Sequence, residues 1–269
     1  MANANIKLTP MLKSVVIDCF PESARKYRTG YAIVAVDVIR ATTSAITIAA
    51  LGGRCYIAGS VDEAFRLREK LPQPLLAGEL GGKLVPGFHL NNSPVELASE
   101  TTVGRPVILL SSSGTRLIQE ARVCDVVYLA CFRNYSYTAW ALQSRFNRVA
   151  LIGAGSRGEF RKEDQMCCAW IARDLVSAGY IPEDERTADL ISRWSGTAPD
   201  AARRGKSAEY LMRSGQARDL EFVLTHVNDL SLAYAMKGLE VSVLPAVRPG
   251  PLKTSAAISS QAREVGTVC

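Results

Sequence analysis

The chain has 269 residues, 48% hydrophobic and 22% charged, which excludes a disordered or fibrous polypeptide and gives ample material for a buried core. Its apolar runs fall far short of the ~20 residues that cross a bilayer, and residues 1–7 carry no apolar stretch after their first charge, so neither a membrane partner nor a secretory leader is expected. The net charge is +6, which suits an anionic ligand. The basic residues are scattered, however, and the densest group (Arg203, Arg204, Lys206) has no aromatic among it, so no nucleic-acid partner is expected.

In chain order, strands are predicted at Ser14–Ile17 and Tyr31–Val36, a helix at Thr42–Leu51, a strand at Arg54–Ile57 and a helix at Val61–Leu71. Strands at Pro74–Ala77 and Pro106–Leu110 follow, then a helix at Gly114–Ala121, a strand at Asp125–Ala130 and a helix at Tyr135–Gln143. A strand at Arg148–Ile152, helices at Glu163–Ala178 and Ala208–Ser214 and a strand at Leu239–Leu244 complete the series. This alternation predicts βαβ units and an α/β chain in three α/β/α layers with mostly parallel sheets. Two α/β halves are expected, 10–125 and 126–247, with a loosely ordered tail at 248–269. Ser60 and Glu63 have capping-box spacing, and Gly179 suits a helix C-cap. Pro182–Lys206, polar and poor in large apolar residues, reads as a surface excursion with a short helix.

Seven cysteines make an odd count with no C-x-x-C pair, so a reduced, cytoplasmic chain without a zinc ribbon is expected. With only two histidines, any metal should be hard and oxygen-ligated. His226 and the Cys167–Cys168 pair read as structural.

Four segments carry candidate chemistry. In the first, a buried strand ends at Asp37, followed by Arg40 and by Thr42 and Thr43 at a helix start. An acid at a parallel strand's carboxyl end faces the crevice where α/β proteins bind ligands. Arg40 offers a fork for an oxyanion, and Thr42 and Thr43 offer helix-N-terminal donors. Alternatively, Thr42 only caps the helix and Arg40 neutralises Asp37. In the second, a strand ends at Glu79, and a Gly-, Asn- and Ser-rich loop through His89 and Asn92 follows. Asp37 and Glu79 could share a Mg²⁺ ion, or the loop is a structural Ω-loop. The third, Ser111–Thr115, has a strand running into Ser112, Ser113, Gly114 and Thr115, an anion nest or a plain turn. The fourth runs from Gly153 to Gly158 and on to Asp164. Its glycine spacing matches a dinucleotide fingerprint, but apolar helix spacing begins only at Met166 or Cys167, so it reads as a glycine-rich loop rather than a nicotinamide site. Glu163 and Asp164 then either complement a helix dipole or add metal ligands.

Taken together and in this order, Val36–Thr43, Gly87–Glu96, Ser113–Thr115 and Glu163–Asp164 with Cys167 resemble the 2-phosphosulfolactate phosphatase family. The resemblance implies a fold of two related α/β halves with the active site between them. It also implies Mg²⁺-dependent hydrolysis of a small, acidic phosphomonoester. On that basis Asp37, Arg40 and Glu79 are the expected catalytic residues. Thr42, Thr43, His89, Asn92, Ser112, Ser113, Gly114 and Thr115 would bind substrate, and Asp37, Glu79, Glu163 and Asp164 would hold the metal. A homodimer is compatible with the reading. Leu80 stands where the family usually has arginine, His89 where it has aspartate, and Ser111–Ser113 where it has Thr-Thr-Asn. These departures leave open an anion-binding relic without activity, or a different reaction on a small acidic metabolite.

Overall fold

The computed structural model describes residues 12–99 and 104–244; the expected loose tail at 248–269 lies outside them. The apolar runs become β1 (Ser14–Cys19), β2 (Ala32–Val36), β3 (Cys55–Ile57), β4 (Leu75–Leu80), β5 (Lys83–Leu84), β6 (Val107–Leu110), β7 (Val126–Ala130), β8 (Arg148–Gly153), β9 (Ile181–Pro182), β10 (Ala233–Lys237) and β11 (Glu240–Leu244). The helices are α1 (Ala41–Ala50), α2 (Val61–Lys70), α3 (Pro94–Ser99), α4 (Gly114–Ala121), α5 (Tyr135–Gln143), α6 (Lys162–Ser177), α7 (Glu185–Trp194), α8 (Lys206–Arg213) and α9 (Ala217–Thr225).

All five side chains of β2 are buried, with Ala32, Val34 and Val36 in one apolar cluster and Ile33 and Ala35 in another. An apolar run divides this way when both sheet faces are covered. The strands form one sheet in the order β5-β4-β6-β3-β11-β10-β7-β2-β8-β1-β9. It is a three-layer α/β arrangement with a mostly parallel sheet. One parallel block is β4-β6-β3 and the other is β7-β2-β8-β1-β9. The antiparallel β10–β11 hairpin joins them, β10 on β7 and β11 on β3. Because β1 and β2 lie in the block with β7 and β8, the chain position 125/126 does not divide the sheet.

The sheet curls around α1. Four strands separate β6 from β2 in the sheet order, yet Gly114, just beyond β6, touches Asp37, just beyond β2. Residues 41–49 of α1 are all buried, which its alanines, threonines and serine permit because they fill little space on every side. The stretch Pro182–Lys206 lies mostly at the surface and carries the helix α7, as expected, and it is tied to the sheet. Asp184 caps α7 by accepting from the Thr187 amide at 2.7 Å, and the buried Thr187 hydroxyl accepts from the Ile17 amide of β1 at 3.0 Å. The Ser60 cap forms, with the Glu63 amide donating to the Ser60 hydroxyl at 3.1 Å, while the Glu63 carboxylate accepts from the Gly59 amide at 2.7 Å rather than from Ser60. Among the described residues no helix is long and apolar enough to cross a membrane, and the six described cysteines are free thiols.

Candidate functional site

The carboxyl ends of β2, β4, β6 and β8 open onto a cavity of about 910 Å³, where α/β sheets place their ligands. Helix α8 forms one further wall through Lys206, Ser207, Glu209, Tyr210, Leu211 and Arg213, and Phe20, Pro21 and Glu22 after β1 form another.

Acids gather at its floor. Asp37 and Asp164 line the cavity while almost fully buried, and Glu163 lies buried beside them. Asp37 Oδ1 accepts from the Ala41 amide at 3.3 Å, and Asp164 Oδ1 from the Val38 amide at 2.8 Å. Neither oxygen of Glu163 has a hydrogen-bond partner within full bonding geometry, although the nearby Ser207 hydroxyl favours its charged form. Burial pushes Asp37 up to about 7, with Glu79 and Glu163 adding to the rise and the Ala41 amide and Arg40 opposing it. Burial, then the charges of Asp37 and Glu163, raises Asp164 well above the ordinary carboxylate range, and burial raises Glu163. Like charges in so dry a place cannot all persist alone, and protons or a cation must balance them.

This donor set fits a hard cation. All its atoms are oxygens, and neither oxygen of Glu163 makes a fully formed hydrogen bond. Among the described residues no group of three His, Cys, Asp or Glu side chains is placed to hold a metal ion. Mg²⁺ needs no such group, because it takes one or two carboxylates and completes its shell with water and phosphate oxygens. Glu79 is differently placed. Its Oε1 accepts from the Ser112 amide at 2.8 Å, and its Oε2 from the Gly82 amide at 2.6 Å and the Ser112 hydroxyl at 3.1 Å. Glu79 lines the same cavity as Asp37, and its charge adds to the rise at Asp37 ahead of that of Glu163. It also ties the end of β4 to the serine turn.

Arg40 also lines the cavity; its charge favours the ionised form of Asp37, but its direct partner is Asp219 on α9. The two form a buried ion pair, joined by hydrogen bonds from Arg40 to Gln216 Oε1 and, at 3.4 Å, to Asn91 Oδ1. The other oxygen of Asp219 accepts from the Ser93 hydroxyl at 2.6 Å. Asn92 lines the cavity with a buried Oδ1 that has no partner, and Ser112 and Ser113 line it from the turn after β6.

Several expected substrate-binding groups are placed elsewhere. The Thr42 hydroxyl lies 2.8 Å from the carbonyls of Asp37 and Ala130 and accepts from the Asp37 amide at 3.0 Å. The Thr43 hydroxyl donates to the Val38 carbonyl at 2.8 Å. The Thr115 hydroxyl closes on Ser111, accepting from its amide at 2.9 Å. All three are fully buried, and buried hydroxyls take internal partners. Gly114 is pressed against Asp37 rather than open to a ligand. His89 is outside the cavity lining, and its Nδ1 accepts from the Leu76 amide at 2.9 Å.

Sequence reasoning missed Asp219 and Gln216 behind Arg40 and the part that α8 plays as a wall of the cavity. The α8 residues carry no local motif; only tertiary folding brings them to the strand ends. The Arg203–Lys206 basic group is largely paired, Arg203 with Asp200 and Glu221 and Lys206 with Glu159.

These features define a curled, mostly parallel α/β protein with an acid-floored, arginine-lined cavity at its strand ends. The profile of the 2-phosphosulpholactate phosphatases matches residues 19–233, and the chain belongs to that family. A relative from Deinococcus radiodurans is 32% identical over 194 residues, 70% of this chain and 80% of its own. One from Symbiobacterium thermophilum is 32% identical over 200 residues, 72% and 86% of the two chains. One from a Synechococcus strain is 32% identical over 227 residues, 81% and 90%. Each of the three is named a probable 2-phosphosulfolactate phosphatase.

Proposed function

We propose that this chain is a Mg²⁺-dependent phosphatase for a small acidic phosphomonoester of the 2-phosphosulfolactate kind. The observation that carries the reading is the convergence of Asp37, Asp164 and the unpartnered Glu163 beneath a cavity that also holds Arg40. The family membership and the names of the relatives support it. Asp37 and Asp164, backed by Glu163, would hold the ion, which when bound supplies charge neutralisation at the phosphate and a more acidic water. Arg40, fixed by Asp219 and Gln216, keeps its remaining N–H groups for a phosphoryl oxygen. Ser113 and Asn92 orient the ester from the cavity wall. Burial raises Asp37 to about 7 in the metal-free chain, so binding of the ion would displace a proton there. α8 and the 153–161 turn cover the site on the solvent side and limit water.

The test is phosphate release from a panel of small phosphomonoesters with Mg²⁺ and with a chelator, for wild type and Asp37→Asn. Mg²⁺-dependent release that the variant lacks is expected. Ligand binding without release under every condition would replace the phosphatase reading with that of an anion-binding protein.

A further inference from the structure

The cavity has six basic residues in its lining: Arg40, Arg116, Arg157, Arg161, Lys206 and Arg213. Five have acidic partners. Arg40 pairs with Asp219, Arg116 with Glu22, Arg161 and Lys206 with Glu159, and Arg213 with Glu209. Arg157 alone has no hydrogen-bond or ion-pair partner among the described residues.

Its backbone is also unusual. Ser156 and Glu159 exchange both backbone hydrogen bonds, at 2.9 and 3.0 Å, so Arg157 and Gly158 are the two central residues of a tight hairpin turn. Both have left-handed φ, +53° and +72°, the pattern of a type I′ turn. The first central position of such a turn favours Asn, Asp or Gly, and a bulky side chain there is an outlier that invites a functional explanation. The turn is firmly seated. The Ala154 amide donates to the Val36 carbonyl at 2.8 Å, Phe160 stacks on Phe20 at 5.1 Å between centroids, and Arg161 donates to the Ser156 carbonyl at 3.2 Å. A charged side chain is thus held on the rim by a backbone that would more readily accept glycine, with no acid consuming its charge.

We propose that Arg157 binds the second anionic group of the substrate, a carboxylate or sulfonate distal to the phosphate, and so sets specificity for doubly acidic esters. The proposal rests on the phosphatase reading in placing the phosphate at the Asp37–Arg40 end. An arginine fork suits a planar or tetrahedral oxyanion better than a lysine point charge, and an exposed rim position selects the tail without touching the reacting bond.

The experiment compares phosphoglycolate with ethyl phosphate, esters of similar size that differ in the distal carboxylate. KM and kcat in Mg²⁺, and Kd by calorimetry, are measured for wild type, Arg157→Gly and Arg157→Lys. Glycine suits the turn, so the first variant should fold. Wild type should prefer phosphoglycolate, and Arg157→Gly should cut that preference about tenfold, the worth of one charge-assisted hydrogen-bonded contact. The loss should appear in KM rather than kcat, with Arg157→Lys in between. An unchanged preference in Arg157→Gly, or no preference in wild type, overturns the assignment. If no phosphate is released from either ester, the phosphatase reading fails alone. The Kd preference and its loss or persistence in Arg157→Gly then still decide the role of Arg157.

Discussion

The backbone of Gly114 and the carboxylate of Asp37 are in direct contact: a Cβ at position 114 would lie 2.3 Å from Asp37 Oδ2 and 2.9 Å from its Cβ. The first residue of α4 must be glycine here because of space, not backbone conformation. Gly114→Ala should displace Asp37 and lower turnover about a hundredfold, since misplacing a reacting group by ~1 Å costs on that order. Stability should fall by about 1–3 kcal/mol from overpacking. Steady-state kinetics and urea unfolding check both, and a Gly114→Ala enzyme with wild-type turnover would detach Asp37 from the reaction.

Asp37→Asn should abolish turnover and, in metal-free protein, raise stability at alkaline pH. Burial raises the carboxyl pKa of Asp37 in the folded chain to about 7. The folded state therefore holds this proton more tightly than the unfolded chain. The associated stability is fully present below the unfolded value of about 4 and is lost as pH rises through about 7. With chelator present, the Tm difference between Asp37→Asn and wild type should grow from pH 5 to pH 8. Added Mg²⁺ should stabilise wild type more at pH 8 than at pH 5, and a pH-independent Tm difference would count against the raised pKa.

Asp219→Ala should cost about 3–5 kcal/mol, because it strands the buried Arg40 without its counter-charge, and should raise KM by releasing Arg40 from its fixed pose. Arg40→Lys should also impair binding or turnover, since an ammonium cannot make two parallel bonds to an oxyanion. Chemical denaturation and kinetics on both variants test this. A full kinetic profile for Arg40→Lys that matches wild type would confine Arg40 to its ion pair with Asp219.

His89→Gln should leave the pH dependence of ligand affinity as in wild type, because the imidazole serves the Leu76 amide outside the cavity lining. Loss of that acceptor should cost about 1 kcal/mol of stability. Titrations of affinity between mildly acidic and mildly alkaline pH, read with a thermal melt, settle both points. A pH dependence that changes with the variant would return His89 to the ligand site.

Much of this was legible from local pattern. The strand ending at Asp37, the serine turn after β6 and the acids opening α6 each combine an apolar run with a polar terminus, and periodicity places such termini at the sheet edge. The hydroxyls of Thr42 and Thr43 were not legible in role. A threonine at a helix start can face a ligand or its own backbone, and only the depth of α1 inside the curled sheet decides for the second. Arg40's partner was hidden for another reason: Asp219 lies 179 residues away. β10 was missed because Ala233–Lys237 is short and has no β-branched residue, and one of its two partners, β7, comes from distant chain.

The β10–β11 hairpin has a consequence for the order of assembly. It supplies the only pairing between the two parallel blocks among the described residues, and it comes from residues 233–244, the last strands in the described chain. Until those residues leave the ribosome, β3 and β7 each present a bare edge, and β7 lies in a block whose other strands are already made. Bare edges recruit strands from any neighbour. The newborn chain is thus most prone to pairing with other copies before residues 233–244 are made, and the keystone is the last of the described strands to arrive.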